Sequence, residues 1–147
     1  MSSSPQFERI LVAIDGSPYS ERALTFGSDL AQRLGAKLAL VSVVDPMPAI
    51  GAEMIPNVTL LEELQKEGQE ILDTAAKRLN PAPARFLRDG RPDYEICQCA
   101  REWHASLLVI GSHGRTGLQR VLMGSVAEHI VRHAPCPILV VRPIAQS

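Results

Sequence analysis

Five short apolar runs separated by four stretches of helical periodicity leave this chain few ways to fold. The runs are Ile10-Leu11-Val12-Ala13-Ile14, KLALVSVV from Lys37 to Val44, the weaker Ala84-Arg85-Phe86-Leu87-Arg88, Leu107-Leu108-Val109-Ile110 and Ile138-Leu139-Val140-Val141. The first two are too continuously apolar for half-exposed strands and read as buried ones. Between them, Ala23, Leu24, Gly27, Leu30, Ala31 and Leu34 recur at helical spacing within Ser20 to Leu34, and Gly35 stands where a C-terminal cap belongs. A second helix is predicted from Leu60 to Leu79, stopped by Asn80-Pro81. A third starts at Pro92 and runs to about His104, with Ile96, Cys97, Ala100 and Trp103 inward, and a fourth runs from about Ser125 to His133. The stretch Pro46 to Thr59, with three prolines and Gly51, reads as irregular surface loop rather than a lid. Strand and helix alternate throughout, and right-handed crossovers then give a parallel sheet covered on both faces.

The 147 residues suit one compact domain, residues 1–147, with residues 1–7 as a flexible polar tail. Hydrophobic residues at 46% and charged residues at 21% exclude a disordered or fibrous chain. The formal charge is -1 and no basic block is present, which argues against nucleic acid as a partner. No apolar run approaches the ~20 residues of a membrane span. A cytoplasmic location without membrane insertion is expected. Cys97, Cys99 and Cys136 follow no pairing pattern and suit free thiols in a reducing compartment. Two apart on a helix, Cys97 and Cys99 are expected on different faces.

In open α/β sheets ligands bind at the carboxyl ends of the strands, near the point where strand order reverses. The loop after the fourth strand, Gly111 to Ser125, carries glycines at both ends and close together. Glycine permits close backbone approach and positive φ, and Ser125 at a helix start faces the positive end of the dipole, where an anion is favoured. The loop lacks the Gly-Lys-Ser/Thr of a P-loop, and the first loop lacks Gly-x-Gly-x-x-Gly, so two common nucleotide sites drop out. Asp15, after the first strand, is either a ligand-side carboxylate or a turn residue ahead of Ser17 and Ser20. His113 either touches phosphate or orders the turn, and Arg115 and Arg120 either reach phosphates or remain solvated. His129 and His133 lie four apart on one helix without a visible third ligand, so no metal site is assigned to them.

The arrangement Gly111-x-x-Gly114, nine residues, then Gly124-Ser125 resembles the ATP-binding motif of universal stress proteins. So do the first strand ending in Asp15, the run Val43-Val44-Asp45, Gly90 with Ile96, the run from Val109 to Gly114, and Pro135-Cys136-Pro137. The resemblance implies a doubly wound, Rossmann-like sheet of the adenine nucleotide alpha hydrolase type, in the order 3-2-1-4-5. It implies ATP as cofactor, with Gly111, Gly114, Gly124 and Ser125 on phosphates and ribose, Val43 meeting adenine through its backbone, and His113, Arg115 and Val126 in the same set. Asp15 matches the family's acidic residue and could help to hold Mg²⁺. Ser106 departs from the aspartate often found before the fourth strand, away from the binding end. The resemblance also implies a homodimer paired through its last strands, which the wholly apolar run Ile138 to Val141 supports at a sheet edge. A nucleotide-responsive regulatory module is expected, with an unidentified protein partner. The alternative is a slow ATPase or phosphoryl or adenylyl transferase, for which the chain offers few of the required charge clamps and bases.

Overall fold

A computed structural model of the chain describes residues 6–50, 57–114 and 123–143. Of the expected tail, residues 1–5 lie outside this range, as do 51–56 of the expected loop. The elements are β1 (Arg9–Ala13), α1 (Pro18–Leu34), β2 (Lys37–Val44), α2 (Val58–Lys77), β3 (Ala84–Asp89), α3 (Pro92–Trp103), β4 (Leu107–Gly111), α4 (Ser125–His133) and β5 (Ile138–Val141). The five strands form a parallel sheet in the order β3-β2-β1-β4-β5, as the resemblance implied.

Capping chemistry sets the helix ends and accounts for the small differences from the periodicity. α1 begins at Pro18, before Ser20, because Ser17 accepts the Ser20 N–H with its side chain and proline at the first helical position loses no needed donor. α2 begins at Val58 because the Asn57 side chain accepts the Leu60 N–H, and a short 3-10 turn at Met47–Ala49 occupies part of the expected loop. α3 ends with His104 in the left-handed region at φ 59.

Both faces of β1 and β4 are buried, which is why they read as unbroken apolar runs, whereas the edge strand β3, with Arg85 and Arg88, is exposed or half-buried throughout. On one face Ile10, Val12, Leu40 and Val109 meet Ala23, Leu24 and Ala31 of α1 and Leu72 and Ala75 of α2. On the other, Leu11, Val41, Leu108 and Ile110 meet Ile96, Cys97, Cys99 and Ala100 of α3 and Ala127 and Ile130 of α4. Cys97 and Cys99 are both buried, each on its own side of α3. α3 is covered on more than its sheet-facing side: it packs on α4 as well as β2, and Arg88 of β3 reaches over it to Glu95 and Glu102, beside Cys99. All three cysteines are free, and burial pushes the Cys99 thiol up to about 11. Cys97 and Cys99 are core thiols, and Cys136 is half-buried beside them.

The chain winds away from β1 in both directions. α1 and α2 cover one face, α3 and α4 the other, and the order reverses between β1 and β4. The connections leaving these two neighbours therefore diverge to opposite faces and open a crevice at their carboxyl ends.

Candidate functional site

At the end of β1 the chain turns through Gly16, whose φ of 83 requires glycine or an accepting neighbour. Asp15 Oδ1 accepts the Ser17 N–H at 2.9 Å, and the Asp15 N–H donates to Ser20 Oγ at 3.2 Å. Ser17 Oγ accepts the Ser20 N–H, and Ser20 Oγ donates to the Ser17 carbonyl, so both serines are buried within the first turn of α1. Asp15 thus makes the turn ahead of the cap, while Ser17 is the cap itself. This network fixes the carboxylate at the sheet's reversal point. A Cβ added at Gly114 would lie 3.1 Å from Asp15 Oδ2. The loops after β1 and β4 can meet so closely because residue 114 has no side chain.

The β4 loop is held by a residue that the sequence reading did not single out. Ser112, fully buried, donates its N–H to the Val141 carbonyl at 3.0 Å, accepts the Gly124 N–H at 2.7 Å and contacts His113 Nδ1 through Oγ at 3.0 Å. It joins β4, β5 and the start of α4. His113 is buried too, with its ring 5.2 Å from that of Tyr19. Tyr19 was also missed, because a residue in the first turn of a helix carries no periodic signal. A Cβ at Gly111 would come within 2.9 Å of the Tyr19 carbonyl oxygen, so Gly111 lets the first turn of α1 lie directly against β4.

One expectation about these glycines needs correcting. Gly124 has φ -71 and ψ 165, open to any residue, and among the described glycines only Gly16, Gly35 and Gly90 have positive φ. Gly111 and Gly114 serve close approach, and none of the described glycines of the loop has a positive φ. Nor is the Gly124 N–H available to a phosphate, since Ser112 accepts it. What Gly124 does provide is an open helix end. It is the N-cap of α4, and among the described residues no side chain caps that helix, whereas Ser17 caps α1. The first-turn N–H groups at Ser125 and Val126 therefore face outward with the positive end of the dipole behind them, and both residues are exposed.

Across the crevice, pairing between β1 and β2 ends at Ala13↔Val41. The Val41 carbonyl accepts from Ile14 of the β1 side, and the Val44 carbonyl accepts from Gly90 of the β3 side. By strand parity, Val43 presents its N–H and C=O toward β1, at a level where β1 has already turned away into Asp15. A donor and an acceptor on one backbone edge match the hydrogen-bonding edge of a planar base. Arg115 and Arg120 lie outside the described residues. The structure thus brings Asp15 against Gly114, gathers Gly111, His113 and Gly124 around Ser112, sets Ser125 and Val126 at the open end of α4, and places Val43 on the neighbouring strand.

A doubly wound parallel sheet with a crevice at its reversal point defines the class of open α/β domains, which place ligands at that end of the sheet. Residues 6–142 match the universal stress protein family. The chain is 35% identical over 140 residues to a universal stress protein of Methanocaldococcus jannaschii, covering 92% of this chain and 82% of that one. The solved universal stress protein UspA of Lactobacillus plantarum superposes with a TM-score of 0.82 at 28% identity, covering 95% of this chain and 100% of the other. More distantly, the universal stress protein of Archaeoglobus fulgidus in complex with dAMP shares the fold at 23% identity and a TM-score of 0.62, covering 94% and 99%. The chain belongs to the universal stress protein family.

Proposed function

We propose that the chain binds ATP in the crevice between β1 and β4 and acts as a nucleotide-responsive module whose loop order and protein contacts depend on occupancy. The observation that carries this reading is the glycine-capped end of α4, an outward-facing set of N–H donors beside the Asp15 loop. The phosphates lie on Ser125, Val126 and the backbone from Gly111 to Gly114, with the Ser125 hydroxyl donating to one of them. Adenine takes the backbone edge of Val43. The same fold holds dAMP in the Archaeoglobus protein. Asp15 is the residue that would hold Mg²⁺, since a hard cation needs oxygen donors and the capping network of α1 already aims this carboxylate at the phosphate loop. Bound there, the ion would neutralise phosphate charge.

Calorimetric titration with MgATP tests the reading. The parent should bind with one-site stoichiometry, and Ser125→Ala should bind about tenfold more weakly, the loss of one charge-assisted hydrogen bond of roughly 1.5–3 kcal/mol. A parent protein that takes up no adenine nucleotide at millimolar concentration would remove the proposal.

The edge strand supports a second element, a homodimer. The Pro137 and Val141 carbonyls accept from β4, so the alternate residues Ile138 and Val140 direct their N–H and C=O groups to the open edge. An apolar, unpaired edge of this kind is a template for a second copy. Sedimentation at micromolar concentration should give a dimer. Val140→Pro, which deletes an outward donor while sparing the bonds to β4, should give a folded monomer. A monomeric parent would overturn the pairing.

A further inference from the structure

The motif left unused by the nucleotide reading is the pair His129 and His133. One helical turn apart on α4, their rings lie 4.2 Å centroid to centroid, tilted by 39°. Both are open to solvent, His129 partly and His133 fully. Imidazoles sharing one metal through bonds of ~2.0–2.1 Å hold their ring centres roughly 4.5–5 Å apart, so a small change of side-chain torsion converts this pair into a chelate. A second observation comes from another helix. Asp93, in the first turn of α3, places Oδ2 3.4 Å from His129 Nδ1. Its carboxylate is itself pinned, with Oδ1 accepting the Tyr94 N–H at 3.0 Å and Oδ2 accepting from Arg91 at 2.8 Å.

We propose that α4, backed by α3, holds a divalent late transition-metal ion, Zn²⁺ above all, through His129 and His133, with the Asp93 carboxylate positioning His129. A carboxylate facing Nδ1 selects the tautomer with the proton on that nitrogen and leaves the Nε2 lone pair for the metal, as carboxylate–histidine–metal arrangements do. His133 lies in the last turn of α4, where the negative end of the dipole favours a cation. Among the described residues no group of three or more histidine, cysteine, aspartate or glutamate side chains is placed to hold a metal ion. The site is therefore two imidazoles completed by water, an open and exchangeable kind rather than a structural cage. The neighbouring cations limit its affinity: Arg91 shares Asp93, Arg101 donates to the His133 carbonyl, and Arg132 pairs with Glu128. The nucleotide crevice contributes no ligand, so the proposal stands apart from ATP binding.

The test is calorimetric titration of the reduced, nucleotide-free full chain with ZnCl₂, repeated with NiCl₂. One ion should bind per chain at pH 7.5. His129→Gln and His133→Gln should each abolish the transition, and Asp93→Asn should weaken it by about 10–100-fold, the usual effect of removing such an outer carboxylate. Cys136→Ser should leave it unchanged. On the unaltered protein, ¹⁵N imidazole spectra should show Zn²⁺ moving Nε2 of both histidines while Nδ1 of His129 keeps its proton. Zn²⁺ binding that is absent in the parent, survives either histidine substitution or depends on Cys136 would overturn the site. An unchanged affinity in Asp93→Asn would overturn the role of the carboxylate.

Discussion

Gly124→Asp is expected to abolish ATP binding while leaving the protein as stable as before or slightly more so. In the unliganded chain this position carries no strain. Its backbone angles suit any residue, and a Cβ there would meet nothing nearer than the His113 Cα and the Ser112 carbonyl oxygen, both at 3.6 Å, an ordinary contact. Aspartate is a favoured N-cap, better than glycine by a few tenths of a kcal/mol, and its charge at the positive end of α4 adds about 0.3–1 kcal/mol. The same carboxylate takes the first-turn N–H groups that the proposed phosphate uses, and it repels the phosphate that remains. Losing two charge-assisted hydrogen bonds at roughly 1.5–3 kcal/mol each weakens binding by on the order of 10²–10⁴-fold before repulsion is counted. Gly124→Val should reach the same loss by filling the mouth of the helix, without the gain in stability. Thermal unfolding and MgATP calorimetry on the same preparations separate the two effects. Stability unchanged and ATP bound as tightly as by the parent would show that the phosphates do not rest on α4. A severe loss of stability would show instead that Gly124 serves the fold.

The contrast between what the sequence disclosed and what it concealed has a physical origin. Strands and helices were legible because burial on both faces of a parallel sheet forces continuous apolar runs, while one-sided burial of a helix imposes a 3.6-residue period. Ile10, Val12 and Leu40 belong to one layer and Leu11 and Val41 to the other. The starts of α3 at Pro92 and α4 at Ser125 were legible too, whereas that of α2 was not, because Asn57 acts through a single hydrogen bond that leaves no period behind. At the site, spacing pointed to Gly111, Gly114 and Gly124 but not to their work. Gly111 and Gly114 allow contact with Tyr19 and Asp15, residues brought in from another loop, and no pattern within residues 111–125 specifies that partner. Ser112 stood in plain view between Gly111 and His113. Its part became visible only through the three elements that converge on it, β4, β5 and α4, and convergence is a property of topology. The covering of Cys99 was hidden for the same reason, since the Arg88 bridge over α3 depends on β3 lying beside β2.

Close approach also governs the largest stability effect to be expected away from the site. Gly27 lies in the middle of α1, where glycine costs about 1 kcal/mol relative to alanine, so by propensity alone Gly27→Ala should stabilise the helix. Packing reverses the sign. A Cβ at this position would lie 2.4 Å from Val12 Cγ2, with Val109 behind it at 3.7 Å, so α1 must lift from β1 or Val12 must leave its rotamer. Val12 and Val109 are both fully buried among close-packed neighbours, which leaves no space to yield into. Overpacking of this kind costs roughly 1–3 kcal/mol and at times more, which exceeds the gain in propensity. With a urea slope of about 2 kcal/mol per molar, a net loss of about 1 kcal/mol lowers the unfolding midpoint by roughly 0.5 M. Val12→Ala supplies the decisive control. Alone it should cost on the order of 2 kcal/mol, for lost burial and the cavity left behind. Combined with Gly27→Ala it vacates the volume that the new methyl needs, so the double variant should be more stable than the sum of the single losses predicts, with a coupling of about 1–3 kcal/mol. Unfolding curves at one fixed protein concentration would measure the cycle. Strict additivity, or a Gly27→Ala variant more stable than the parent, would mean that α1 rides higher on the sheet than this contact requires. The effect should reach the crevice as well. α1 carries Tyr19 against Gly111 and the cap that aims Asp15, so lifting the helix disturbs the residues on which the proposed phosphate site is built.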